Sequence, residues 1–101
     1  MYEYAREKLD DAVDALSTGK GSIKDRIFDT IVPGLLNLSE DELPATLQSE
    51  LRAILADLSK NEPKRGQGSL YATIGPMRLE KVQSYAARIM CLRDELREYL
   101  N

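Results

Sequence analysis

Residues 82–99, VQSYAARIMCLRDELREY, place Val82, Tyr85, Ile89, Leu92, Leu96 and Tyr99 at alternating steps of three and four. That spacing draws one apolar seam down a helix whose other positions are largely charged. The seam predicts a final helix from about Met77 to Leu100, roughly 35 Å long at 1.5 Å per residue. Its length leaves part of the seam for a second copy, so a homodimer through the 77–100 helix is one expectation. Tyr2, Tyr4, Tyr85 and Tyr99 are expected toward one end if the first and last helices run antiparallel and partly offset, and aromatics of this kind are common at interfaces.

Working toward the N-terminus, the same period recurs in shorter pieces. Tyr2, Ala5, Leu9, Ala12, Val13 and Leu16 share a face opposite most of Glu3, Glu7, Asp10, Asp11 and Asp14, which predicts a first helix ended by Gly19. Ser22 has the chemistry of an N-cap for a second helix starting at Ile23, with Asp25 at its positive end. The run Ile27, Phe28, Ile31, Val32, Leu35, Leu36 and Leu38 is too broad for a surface helix and marks this as the core helix. Pro33 removes an amide donor and collides with the preceding turn, so a kink or break is expected there. Ser39 and Glu42 match a capping box for a third helix, with Pro44 in its first turn and Leu47, Leu51, Ile54, Leu55 and Leu58 on its buried face.

Residues 59–75, SKNEPKRGQGSLYATIG, form a long basic connection. Links between helices in small bundles are commonly about two to eight residues. Within it Ser69 is placed to cap a short helical turn that docks Leu70 and Ile74. The expected fold is therefore all-α: one domain over residues 1–101, a four-helix bundle with its second helix kinked or broken near Pro33.

Composition bounds the function. At 43% hydrophobic and 31% charged residues the chain is an ordinary folded protein without the signature of disorder. It has no histidine, which removes Ser-His and Cys-His nucleophile pairs, histidine general bases and the Glu-x-x-His ligands of di-iron bundles. The lone Cys91 lies off the seam beside Ser84 and Ala87, where it reads as a small residue in a helix contact. Carboxylate pairs at helical spacing, such as Glu3 with Glu7, Asp10 with Asp14 and Asp94 with Glu98, are interleaved with Arg6, Lys8, Arg93 and Arg97. They read as a solvated, internally paired face, so no metal and no cofactor is expected. No apolar run approaches the ~20 residues that span a bilayer, and the start MYEYAREKLDD has no signal-peptide pattern, so no membrane association and a cytoplasmic location are expected.

The net charge of −3 conceals local polarity. Acid dominates residues 1–17 and 39–58, while between residues 59 and 81 Lys60, Lys64, Arg65, Arg78 and Lys81 outnumber Glu62 and Glu80. With Tyr71 able to stack, Lys60, Lys64, Arg65, Tyr71, Arg78 and Lys81 are the candidate partner-binding residues, for an acidic protein surface or a nucleic acid. A weaker candidate anion site is Lys20, Gly21, Ser22 and Lys24 before the second helix; a glycine C-cap followed by a serine N-cap explains most of it. In general character the chain resembles the short helical proteins of bacteria and phages, among them antitoxins, immunity proteins and inhibitors. A small, acidic, histidine-free bundle with one long loop is expected to act as a non-enzymatic protein-protein interaction module. The alternatives are a nucleic-acid-binding module using the basic 60–81 region and a small carboxylate-dependent enzyme with a pocket beside Pro33.

Overall fold

Gly19 ends the first helix, α1 (Glu3–Thr18), because its backbone turns extended at φ −62°, ψ 154° while its N–H still donates to the Ala15 carbonyl at 2.9 Å. The chain then reverses through Gly21, whose φ of +91° is a left-handed value that glycine adopts without steric penalty. The second helix, α2 (Ile23–Ile31), opens on a reciprocal cap. The Asp25 amide donates to the Ser22 hydroxyl and the Ser22 amide donates to the Asp25 carboxylate, each at 3.2 Å. The structure, a computed structural model, describes residues 2–31, 34–60 and 69–101, apart from the side chains of Glu40, Ser69, Leu70 and Tyr71. The break expected at Pro33 lies outside those residues.

Two 3-10 turns, Leu35–Asn37 and Glu40–Glu42, lead into α3 (Ala45–Leu58). Here the expected start of the third helix is corrected. Glu42 does reach back to the Ser39 amide at 3.1 Å, but the Glu42 amide donates to the Ser39 carbonyl, which closes a separate tight turn. Pro44 therefore stands at the N-cap of α3, just outside its first turn. A six-residue helix, α4 (Ser69–Ile74), occupies the stretch where a short turn was expected. The last helix, α5 (Leu79–Leu100), starts two residues later than the spacing predicts: the Met77 amide closes a turn onto the Ile74 carbonyl at 3.0 Å, and Arg78 is extended at the N-cap.

The described residues contain helices and turns and no strand, so the fold is all-α. Val82, Tyr85, Ile89, Leu92 and Leu96 are each 3% exposed or less, whereas Tyr99 is 60% exposed. α5 packs on α1, α2 and α3, so it occupies the centre that the sequence assigned to the second helix. Buried side chains from all five helices join one cluster, including Leu9, Ile31, Leu35, Leu43, Ile54 and Ile74. Leu36, read as part of the core run, is exposed on its 3-10 turn. At the α1–α2 crossing the buried Thr30 hydroxyl lies 2.8 Å from the Arg26 carbonyl and 3.3 Å from that of Ala12, which satisfies its polarity inside the core. No described helix is long and apolar enough to cross a membrane.

Candidate functional site

Side-chain pairs fix which ends of the helices meet. Tyr2 and Tyr99 pack edge to face at 5.9 Å, and Asp10 lies 3.6 Å from Arg93 and 3.1 Å from Arg97, so α1 and α5 run antiparallel. Glu50 pairs with Arg88, and Asp57 meets Tyr85, so α3 also runs antiparallel to α5. The C-terminal ends of α1 and α3 therefore lie beside the start of α5. Lys24 adds the start of α2 to the same end, because its ammonium donates to the Gly75 carbonyl at 2.6 Å, across 51 residues of sequence.

That end gathers the two groups of bases that the sequence reading treats separately. Lys20 is exposed after α1, and Lys60 is exposed after α3. Arg78 and Lys81 are exposed at the start of α5, the Lys81 ammonium standing 5.6 Å from the Tyr85 ring centre. Lys64 and Arg65 lie outside the described residues, as does the side chain of Tyr71, whose backbone belongs to α4. The Lys20, Gly21, Ser22, Lys24 segment is partly committed internally: Lys24 holds Gly75, and Asp25 already occupies the Ser22 amide. Two carboxylates of this end are likewise engaged, Asp25 by that cap and Asp57 by Arg88 and Tyr85. A cation after a helix C-terminus, as at Lys20 and Lys60, complements the helix dipole, but Arg78 at the start of α5 opposes it. Local helix energetics do not account for Arg78.

Behind the basic end, Arg88 is the hub of an α3–α5 contact that the sequence reading missed. Its guanidinium donates to Glu50 at 2.9 Å, lies 3.5 Å from Asp57, and sits 5.3 Å from the Tyr85 ring centre. Exposure of Arg88 (34%) and Glu50 (40%) keeps the pair worth only about 0–1 kcal/mol. Tyr85 is instead almost fully buried, and its hydroxyl donates to Asp57 at 3.2 Å. It lies about 21 Å along α5 from Tyr99, which corrects the expected grouping of four tyrosines: Tyr2 meets Tyr99, and Tyr85 belongs to the other end.

Burial, and then the Asp57 carboxylate, push the Tyr85 phenol above its ordinary value of 10.0. The unfolded phenol ionises at that ordinary value while the folded one still holds its proton, so the native state binds more protons and stability falls as pH rises. The contribution is complete below pH 10 and disappears as pH climbs through the folded value. Melting temperatures of the parent and Tyr85→Phe, measured from pH 9 to 12, should show the steeper alkaline decline in the parent. Parallel curves would mean that the phenol is not tuned.

Of the hollows lined by described residues, three bear on the expectations from the sequence. A 190 Å³ recess beside Gly34 is lined by Lys8, Asp11 and Asp29; it is the nearest match to the carboxylate pocket expected beside Pro33, and both its carboxylates are exposed. Another, of 330 Å³ between α3 and α5, includes Thr46, Ser49, Ala87 and Cys91. Cys91 was expected in a helix contact; its side chain is exposed along this groove. The third is apolar: Leu38, Leu51, Leu55 and Ala56 form a 350 Å³ groove along α3 with Gln48 and Arg52. Its sequence signal was the width of the α3 apolar face, since Leu55 beside Ile54 is one residue more than a buried stripe needs. No group of three or more Cys, Asp or Glu among the described residues is placed to hold a metal ion. No protein-family model, curated protein or solved structure matches this chain.

Proposed function

We propose that the chain is a non-enzymatic protein-protein interaction module, a small helical adaptor, inhibitor or antitoxin-like protein of the cytoplasm, which docks its basic end on an acidic surface of a partner protein. The observation that carries this reading is the Lys24–Gly75 hydrogen bond. It ties the Lys20–Lys24 segment to the turn that precedes Arg78 and Lys81, which supports a reading in which bases far apart in sequence act together at one end of the molecule. Arg78 supports it further, as a charge held where the α5 dipole disfavours it. A set of cations gathered at one end, Glu80 being the exposed carboxylate among them, steers an acidic partner and sets its orientation.

Within this proposal the architecture is the four-helix bundle that the spacing suggests, with α4 as an addition to it. A homodimer through the 77–100 helix would use Leu79, Tyr99 and Leu100, which are exposed, because the seam from Val82 to Leu96 is buried within the chain.

The test is affinity purification of the tagged chain from its own cells with nuclease, beside the double variant Lys60→Glu, Arg78→Glu. A stoichiometric protein is expected with the parent. Its affinity for the variant should fall by about tenfold or more, with the melting temperature unchanged. Recovery of nucleic acid alone, lost on nuclease treatment and steeply salt-dependent, would replace this reading with the nucleic-acid module. A protein captured equally by both forms would remove the basic end from the interface.

A further inference from the structure

Lys24, Asp25 and Arg26 are successive charged residues in the opening turn of α2, and each is committed within the chain. Asp25 accepts from the Ser22 amide, at the positive end of the helix that favours a carboxylate. Two cations at the same place are disfavoured by that dipole, and both reach away from α2 to carbonyls of other segments. Lys24 donates to Gly75, just past the end of α4. Arg26 donates through Nη1 to the Leu16 carbonyl at 3.1 Å, in the last turn of α1, where the helix itself supplies no amide. Both bonds are partly buried, and a charged donor makes each stronger than a bond between neutral groups.

Each bond meets the chain beside an exposed base. Gly19 follows α1 directly, and a Cβ there would stand 2.3 Å from the Ala15 carbonyl and 3.0 Å from Cγ of Arg26, so the chain leaving α1 lies against the arginine stem. Lys20 comes next. On the other side Gly75 lies in the turn that the Met77 amide closes on Ile74, and Arg78 follows at the N-cap of α5.

We propose that Lys24 and Arg26 are positioning residues of the basic end: they clamp the two segments that carry Lys20 and Arg78, set the distance between them, and do not themselves touch the partner. The inference rests on the basic-end reading above. It divides the cations into those that meet an acidic surface and those that hold the others in place. Cations fixed before the encounter lose less freedom on binding, so loosening the clamp weakens docking although every exposed base remains.

The spacing is read first, without a partner. Spin labels on Lys20→Cys and Arg78→Cys in a Cys91→Ala background should give one narrow distance distribution by pulsed electron resonance. Lys24→Met keeps most of the stem and removes the donor. It should widen the distribution about twofold or more, with helix content by circular dichroism unchanged, and Arg26→Met should do the same. An unchanged width in either variant would overturn the proposal.

The second probe is a synthetic helical peptide of about five turns with glutamate along one face, followed by fluorescence anisotropy against the full-length chain. Lys24→Met should weaken its binding about fivefold or more. The pair Lys24→Met, Glu80→Gln restores the net charge of this end and should remain about threefold weaker than the parent or worse. Recovery of the parent's affinity in that pair would overturn the proposal, because Lys24 would then act by charge alone. So would a widened distribution with unchanged binding. Failure of the basic-end reading shows differently: the peptide then binds Lys60→Glu, Arg78→Glu as tightly as the parent, whatever the spin-label distances.

Discussion

Ile89→Ala should cost about 2–5 kcal/mol of stability. Ile89 is fully buried at the middle of α5, the helix against which α1, α2 and α3 all pack. Three carbons leave the core, worth about 2.4 kcal/mol at ~0.8 kcal/mol for each methylene. The rest comes from the void, because walls contributed by separate helices cannot all close on one small gap. Total stabilities of domains this size are about 5–15 kcal/mol, so the variant loses a large share, and its urea midpoint should fall with the slope nearly unchanged. Cys91→Ala is the control on the same helix. Its side chain is exposed, and an effect within about 0.5 kcal/mol is expected. Equal midpoints for the two variants would refute the central position of α5.

Leu43→Ala should cost about 2–4 kcal/mol, a large effect for a residue outside every α-helix. Leu43 is fully buried between the Glu40–Glu42 turn and the Pro44 N-cap, and its carbonyl accepts a hydrogen bond from the Gln48 side chain at 2.8 Å. It therefore anchors the entry to α3 by both packing and polarity. The expected loss is below that of Ile89 at the upper end, since a short turn can relax toward the gap more readily than three packed helices. Hydrogen exchange should quicken first at the N-terminal amides of α3, ahead of those in α1. A loss under about 0.5 kcal/mol would show the connection to be a tether and not part of the core.

Leu43 also shows where sequence reasoning reached its limit. The Ser39–Glu42 pattern was legible, and the Glu42 side chain does meet the Ser39 amide, but a capping pair is a local device that can close a single turn as well as start a helix. Pro44 then allows α3 to begin only after it. Leu36 failed for the same reason: once the chain leaves α2, helical periodicity no longer says which leucine faces inward. Leu55, a core position by its spacing, is half-buried, which leaves the apolar groove along α3.

Of the candidate site, the residue types were readable and the surface was not. The sequence assigns Lys20 and Lys24 to a weak anion site and Lys60, Arg78 and Lys81 to a separate partner-binding set. Only the antiparallel packing of α5 on α1 and α3, with the Lys24–Gly75 bond, brings them to the same end of the molecule. The Arg88 hub was invisible because Glu50, Asp57, Tyr85 and Arg88 have unremarkable spacing until α3 and α5 are set side by side.

The physical division is one of range. Helical class, the buried face of each helix and the stops at Gly19 and Ser22 follow from interactions within a turn or two of chain, and these the residue order specifies directly. Which helix lies at the centre, which leucine is left at the surface and which charges meet depend on how the apolar faces are shared among helices. That sharing is settled by packing the whole set at once, and only the tertiary structure holds it.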